Sequence, residues 1–155
     1  MLHLLFKIGK ERYALSCRRI LRIVPWVRLR RLPLGPACIL GLLNYRDHSV
    51  PVIDLGQLFE DAPTLPELSS RIILTDCPVA EAETKLMGFL AAEVLEVVTI
   101  DPQDIKPSGV HLEQAPCLGP IQIRDGEMVQ ILDLQTLLPA DLRSALRENP
   151  LSLDS

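Results

Sequence analysis

Val50-Pro51-Val52-Ile53-Asp54-Leu55-Gly56-Gln57-Leu58-Phe59 returns 79 positions later as Val129-Gln130-Ile131-Leu132-Asp133-Leu134-Gln135-Thr136-Leu137-Leu138. The shared pattern is V-x-[VI]-[IL]-D-L-x-x-L followed by an apolar residue. Its β-branched start reads as a strand, and Asp followed by L-x-x-L reads as the opening of a helical turn. An Asp at that junction accepts bonds from the orphan N–H groups of the turn, a cap worth ~1 kcal/mol. Recurrence in both copies favours this structural role for Asp54 and Asp133 over a carboxylate pair for acid–base chemistry.

Two further blocks recur upstream in the same order. Gly41-Leu42-Leu43-Asn44-Tyr45-Arg46-Asp47 returns as Gly119-Pro120-Ile121-Gln122-Ile123-Arg124-Asp125, and Ile20–Val24 returns as Val94–Val98, the offset drifting only from 74 to 79. Three ordered matches argue for duplication of one supersecondary unit. In the first copy, Leu4–Ile8 and Tyr13–Cys17 flank Gly9-Lys10 as a hairpin, Ile20–Val24 stops at Pro25, and Ile39–Tyr45 and Val50–Leu55 flank the tight connection Arg46-Asp47-His48-Ser49. Pro51 places its strand at an edge or a bulge. In the second copy, Arg71–Thr75, Leu86–Ala91, Val94–Ile100, Ile121–Arg124 and Met128–Leu132 take the same parts, with Asp125-Gly126 as a hairpin turn. The expected organisation is one unit over 1–155, with subdomains 1–60 and 71–138, a linker at 61–70 and a C-terminal helix and tail at 139–155, the helix running from Pro139 to Asn149. About five strands in each half make small β-barrels, and domains of ~60 residues are marginal alone, so the halves are expected to share an apolar seam.

Composition narrows the function classes. The chain has 155 residues, 48% apolar and only 4% aromatic, so Leu, Ile and Val must build the core. No apolar run approaches the ~18 residues of a membrane helix. Met1–Lys7 carries no basic segment followed by a long apolar one, and Cys17, Cys38, Cys77 and Cys117 form no C-x-x-C pair. These features fit a cytoplasmic protein with reduced, core-buried thiols and no direct membrane insertion. Residues 1–50 hold ten Lys/Arg and two acidic residues, whereas residues 51–155 hold six and eighteen. That asymmetry points to electrostatic partner choice, self-association included. The dense run Arg18, Arg19, Arg22, Arg28, Arg30 and Arg31 reads either as a solvated strand face or as a nucleic-acid face. Only Trp26 and Tyr45 accompany it as stacking platforms, so nucleic acid is the weaker reading.

Catalytic chemistry finds little support. His3, His48 and His111 lack a second His or Cys at ligand spacing, and no phosphate-cradling or nucleophile motif occurs, so neither a metal, nor a cofactor, nor an enzyme is expected. Arg46 stands apart, because it sits on a surface hairpin in the basic half beside Tyr45 and His48. Arg and Tyr are enriched among interface hot spots, against the plainer reading of an exposed hairpin Arg. Arg124 is aligned with it in the acidic copy, beside Asp125 and Glu127.

The stretch Ile39-Leu40-Gly41-Leu42-Leu43-Asn44-Tyr45-Arg46-Asp47-His48-Ser49-Val50-Pro51-Val52-Ile53-Asp54-Leu55 resembles the signature of the CheW-like family of bacterial chemosensory coupling proteins, roughly G-x-[IVL]-N-x-R-G-x-[IV]-[VI]-P-[VI]-[IV]-D-L. Phe6–Gly9 with Tyr13-Ala14-Leu15, then Leu86–Val98, then Gly126–Leu138 resemble its other blocks, and the likeness covers residues 4 to 138. The resemblance implies an all-β fold of two interlocked SH3-like five-stranded barrels with a short C-terminal helix. It implies a non-catalytic adaptor that binds the regulatory domain of a CheA-type histidine kinase and the cytoplasmic tip of methyl-accepting chemoreceptors, recruited to membrane-associated receptor arrays. Asn44, Tyr45, Arg46 and His48 are the candidate partner-binding residues. Asp47 stands in place of the family's Gly, Tyr45 in place of an aliphatic residue, and the Arg18–Arg31 run is unusually basic. These departures bear on which receptor and kinase the chain serves, such as those of a surface-sensing pathway.

Overall fold

In a computed structural model, residues 1–147 are described. Alternating apolar sequence gives eleven strands among them. They are β1 (Leu2–Ile8), β2 (Glu11–Ser16), β3 (Ile20–Pro25), β4 (Ile39–Tyr45), β5 (His48–Asp54), β6 (Arg71–Ala80), β7 (Glu83–Ala91), β8 (Glu93–Thr99), β9 (Ile105–Lys106), β10 (Leu118–Arg124) and β11 (Glu127–Leu132). Helix α1 (Leu55–Glu60) follows β5, and α2 (Ala140–Leu146) ends the described chain. The expected C-terminal helix is therefore present, but it stops at Leu146, short of the expected Asn149, because Arg147 turns to extended backbone; the tail from 148 on lies outside the described residues. Residues 61–70 form no strand or helix. The β6–β7 hairpin runs on to Ala80 and restarts at Glu83, longer than the sequence pattern indicates. A register shift between Pro78 and Ala80 lies next to the proline within the extended strand.

The strands form a six-stranded sheet, β8-β1-β2-β11-β10-β9, and a five-stranded sheet, β3-β6-β7-β5-β4. Each sheet draws on both copies of the repeat. Hairpin β1–β2 inserts between β8 and β11, and its counterpart β6–β7 inserts between β3 and β5. Both insertions use the same geometry, an antiparallel contact on one side (β1 with β8, β6 with β3) and a parallel one on the other (β2 with β11, β7 with β5). The bounds 1–60 and 71–138 thus describe the sequence repeat rather than the sheets. The extra strand is the two-residue β9, matched in the other sheet by a single bridge from Arg30 to Leu42.

Period-2 alternation divides the apolar residues into three clusters. Val50, Val52, Ile72, Leu74 and Leu90 fill one barrel, and Leu5, Ala14, Val98, Ile100 and Val129 fill the other. The opposite faces of the same strands meet between the barrels, where Leu4, Phe6, Ile8, Ile53, Ile73, Met87, Phe89 and Leu132 form the largest cluster, roofed by Leu142 and Leu146 of α2. This is the shared seam that the small size of each half demands.

Pro51 departs from expectation. It lies in β5, an interior strand between β7 and β4. Its missing N–H is tolerated because β7 pairs only with Val52, Ile53 and Asp54. Opposite Pro51, Leu42 exchanges both of its backbone bonds with Arg30, at 2.8 and 2.9 Å, so no ladder bond is left unmade.

Candidate functional site

The tip of the β4–β5 hairpin carries the candidate residues. The tight connection is shorter than Arg46–Ser49, because Tyr45 pairs directly with His48 and only Arg46 and Asp47 form the loop. Both have positive φ, 49° and 66°, the mirror-image turn whose twist suits a two-residue hairpin. Asp tolerates this region, but for Arg the left-handed conformation is unfavourable by ~1–2 kcal/mol. Asn44 compensates in part, its Oδ1 accepting the Asp47 N–H at 3.1 Å. Asn44 is thereby a turn-holding residue, while Arg46 and His48 stand exposed at the tip.

Tyr45 is half-buried, its ring packed against the barrel core and its hydroxyl turned outward. The Arg46 guanidinium lies over that ring, 5.2 Å from its centroid. Arg22 donates from Nη1 to the Tyr45 hydroxyl at 3.3 Å. This bond holds the phenol's pKa below its usual value, with the nearby positive charge of Arg46 acting in the same direction. Arg22 belongs to β3 and Tyr45 to β4, the two edges of the five-stranded sheet, so this contact spans the seam at which the barrel closes. Sequence reasoning missed the contact, since nothing in the spacing of β3 and β4 signals that their edges meet.

The arginine run is dispersed. Arg19 pairs with Asp76 at 3.7 Å, Arg22 turns to Tyr45, and the Arg30 backbone is tied to β4. Trp26 is half-buried and packs on the barrel core. Asp54 and Asp133 are caps, as expected. Asp54 is fully buried and accepts from the Gly56 N–H at 2.9 Å, the Thr64 N–H at 2.8 Å and the Thr64 hydroxyl at 2.6 Å. Asp133 is exposed and accepts from the Gln135 N–H at 2.9 Å. Of the cysteines, Cys77 and Cys117 are buried, whereas Cys17 and Cys38 are only half-buried, a correction to the expectation of four core thiols. Burial pushes the Cys77 thiol up to about 12.

The second copy carries the equivalent tip, shifted by one residue from the sequence alignment. Arg124 pairs with Glu127 as Tyr45 pairs with His48, so Arg124 occupies the place of Tyr45, and Asp125 that of Arg46. The pairings of β3 and β8 likewise put Glu96 where Arg22 stands. At three matched positions the basic copy therefore has Arg22, Arg46 and His48, and the acidic copy has Glu96, Asp125 and Glu127. Glu127 is ion-paired with Arg12.

Elsewhere, an apolar cleft of about 480 Å³ lies between Leu58 and Phe59 of α1, Tyr13, Cys117 and Leu137. Its walls come from segments far apart in the chain, which is why the sequence did not reveal it. Among the described residues, no helix is long and apolar enough to cross a membrane, and no cluster of His, Cys, Asp or Glu could hold a metal ion.

With this geometry in view, the chain can be set beside known proteins. It is 24% identical over 143 residues to chemotaxis protein CheW of Rhizobium meliloti, covering 90% of this chain and 88% of that protein. It is 29% identical over 137 residues to chemotaxis protein CheW of Helicobacter pylori, covering 88% and 80%. The crystal structure of the scaffolding protein TtCheW from Thermoanaerobacter tengcongensis superposes with a TM-score of 0.76 at 27% identity, covering 88% of this chain and 86% of that one. The CheW-like domain family matches residues 2–142, nearly the whole described fold, and the chain belongs to that family.

Proposed function

We propose that the protein is an adaptor that acts by binding alone, coupling the cytoplasmic tip of a chemoreceptor to the regulatory domain of a CheA-type histidine kinase within a membrane-associated array. Membership of the CheW-like family supports the class. The observation that carries the site is Arg46, an exposed cation held in an unfavourable backbone conformation at a hairpin tip and braced on Tyr45. Strain of this kind persists where the surrounding structure over-determines it, and it gathers at functional positions. Arg46 is the contact residue, His48 flanks it, Tyr45 supports it, and Asn44 fixes the turn.

The test is calorimetric titration of Arg46→Glu with the receptor tip and with the kinase regulatory domain. Losing a hot spot costs ~2 kcal/mol or more, about thirtyfold in affinity, and the reversed charge adds to it. Circular dichroism should remain native, since an exposed substitution stays within ~0.5 kcal/mol. Arg124→Glu makes the same change in net charge at the acidic tip and should leave affinity within a few-fold. Unchanged affinity of Arg46→Glu for both partners refutes the reading.

A second reading rests on the charge inversion between the matched tips. The basic tip of one copy and the acidic tip of another are complementary, so we also propose head-to-tail self-association by electrostatic attraction.

A further inference from the structure

Like charges rarely gather without a reason. Arg22 and Arg46 come from strands at opposite edges of a sheet, yet both guanidiniums reach one phenol ring, Arg22 at its hydroxyl and Arg46 over its face. Among the described residues neither is paired with a carboxylate, so both guanidiniums are open to one from outside. A tyrosine is suited to this place because its π face attracts one cation and its hydroxyl oxygen accepts from the other. An aliphatic side chain could do neither. The arrangement also limits the freedom of Arg46, whose long side chain would otherwise lose rotamer entropy on binding.

We propose that Tyr45 is a positioning residue for Arg46, and Arg22 for Tyr45, so that the two guanidiniums are held together in advance to receive a carboxylate of the partner protein. This rests on the reading of Arg46 as a contact residue. Two exposed cations near one another repel, and an anion placed between them turns that repulsion into attraction. The clasp therefore selects partners with an acidic residue at the matching position. It also makes Tyr45 a specificity determinant of this chain.

Two measurements test the proposal. The first is ultraviolet titration of the phenols, of which the chain has two. The lower-titrating phenol should vanish in Tyr45→Phe and move upward in Arg22→Gln. An unchanged titration in Arg22→Gln overturns the clasp. The second is the affinity of the full chain for the regulatory domain of a CheA-type kinase from the same organism. Tyr45→Val should weaken binding about two- to fivefold, the scale of an exposed cation–π contact. In an Arg46→Gln background the same substitution should have no further effect, because a residue acting through Arg46 has nothing left to position. Equal losses with and without Arg46 overturn the positioning role while leaving the contact reading intact. An Arg46→Gln variant that binds both the regulatory domain and the receptor tip like the native chain overturns both.

Discussion

Replacing Asp54 with Ala should destabilise the protein about three times as much as the same change at Asp133, although both open the same motif. Each caps a turn through the N–H two residues on, at 2.9 Å in both cases. That shared bond accounts for ~1 kcal/mol. Asp54 alone also binds the N–H and hydroxyl of Thr64, at 2.8 and 2.6 Å, tying the 61–70 segment to the end of β5. Asp133 adds only a long contact with the Thr136 hydroxyl at 3.4 Å. Bonds to a charged acceptor contribute ~1.5–3 kcal/mol, and donors left unmatched in a buried place lose more than exposed ones, which water can satisfy. The expected losses are about 3 kcal/mol for Asp54→Ala and about 1 kcal/mol for Asp133→Ala. In urea, with a slope of ~2 kcal/mol/M, these shift the midpoint by roughly 1.5 M and 0.5 M. Asp54→Asn should fall between them, since Asn caps well but turns an amide group towards a donor. Equal shifts for the two Ala variants would refute the argument, because they would mean that the Thr64 bonds contribute nothing.

Thiol labelling should separate the cysteines. Cys17 and Cys38 are half-exposed and should react first, whereas Cys77, fully buried with a thiol pushed up to about 12, should react only on unfolding; labelling of all four at one rate would contradict the packing. Sedimentation should show self-association that is strongest at low salt and lost at high salt, since exposed attraction is screened beyond ~8 Å at physiological ionic strength. An Asp125→Arg variant should dissociate at low salt as well, and a species that stays monomeric at every salt concentration would remove the head-to-tail reading.

What could be read from the sequence was local. The strands, the caps at Asp54 and Asp133, and the duplication itself all depend on residues a few positions apart, where alternation and turn chemistry are explicit. The register between copies is not local. The Arg-Asp pair at 46–47 matched the one at 124–125 by letter, yet the hydrogen-bond ladders put Arg124 in the place that Tyr45 holds in the other copy, and a slip of one residue exchanges the roles of neighbouring side chains. The Arg22–Tyr45 contact was equally out of reach, because it exists only once the sheet has curled and its edges have met. The exchange of hairpins was hidden for the same reason, yet it bears most on function. One barrel takes Ile72, Leu74 and Leu90 from the second copy, and the other takes Leu5 and Ala14 from the first. Neither copy can fill its barrel alone, so the two must fold together. A chain assembled from two independent barrels would let their outer faces reorient. Here strand ladders cross between the copies on both sides, so the basic tip and the acidic tip are fixed relative to one another. The coupling role proposed above would need that rigidity, because coupling between two partners depends on their arrangement as well as on each contact.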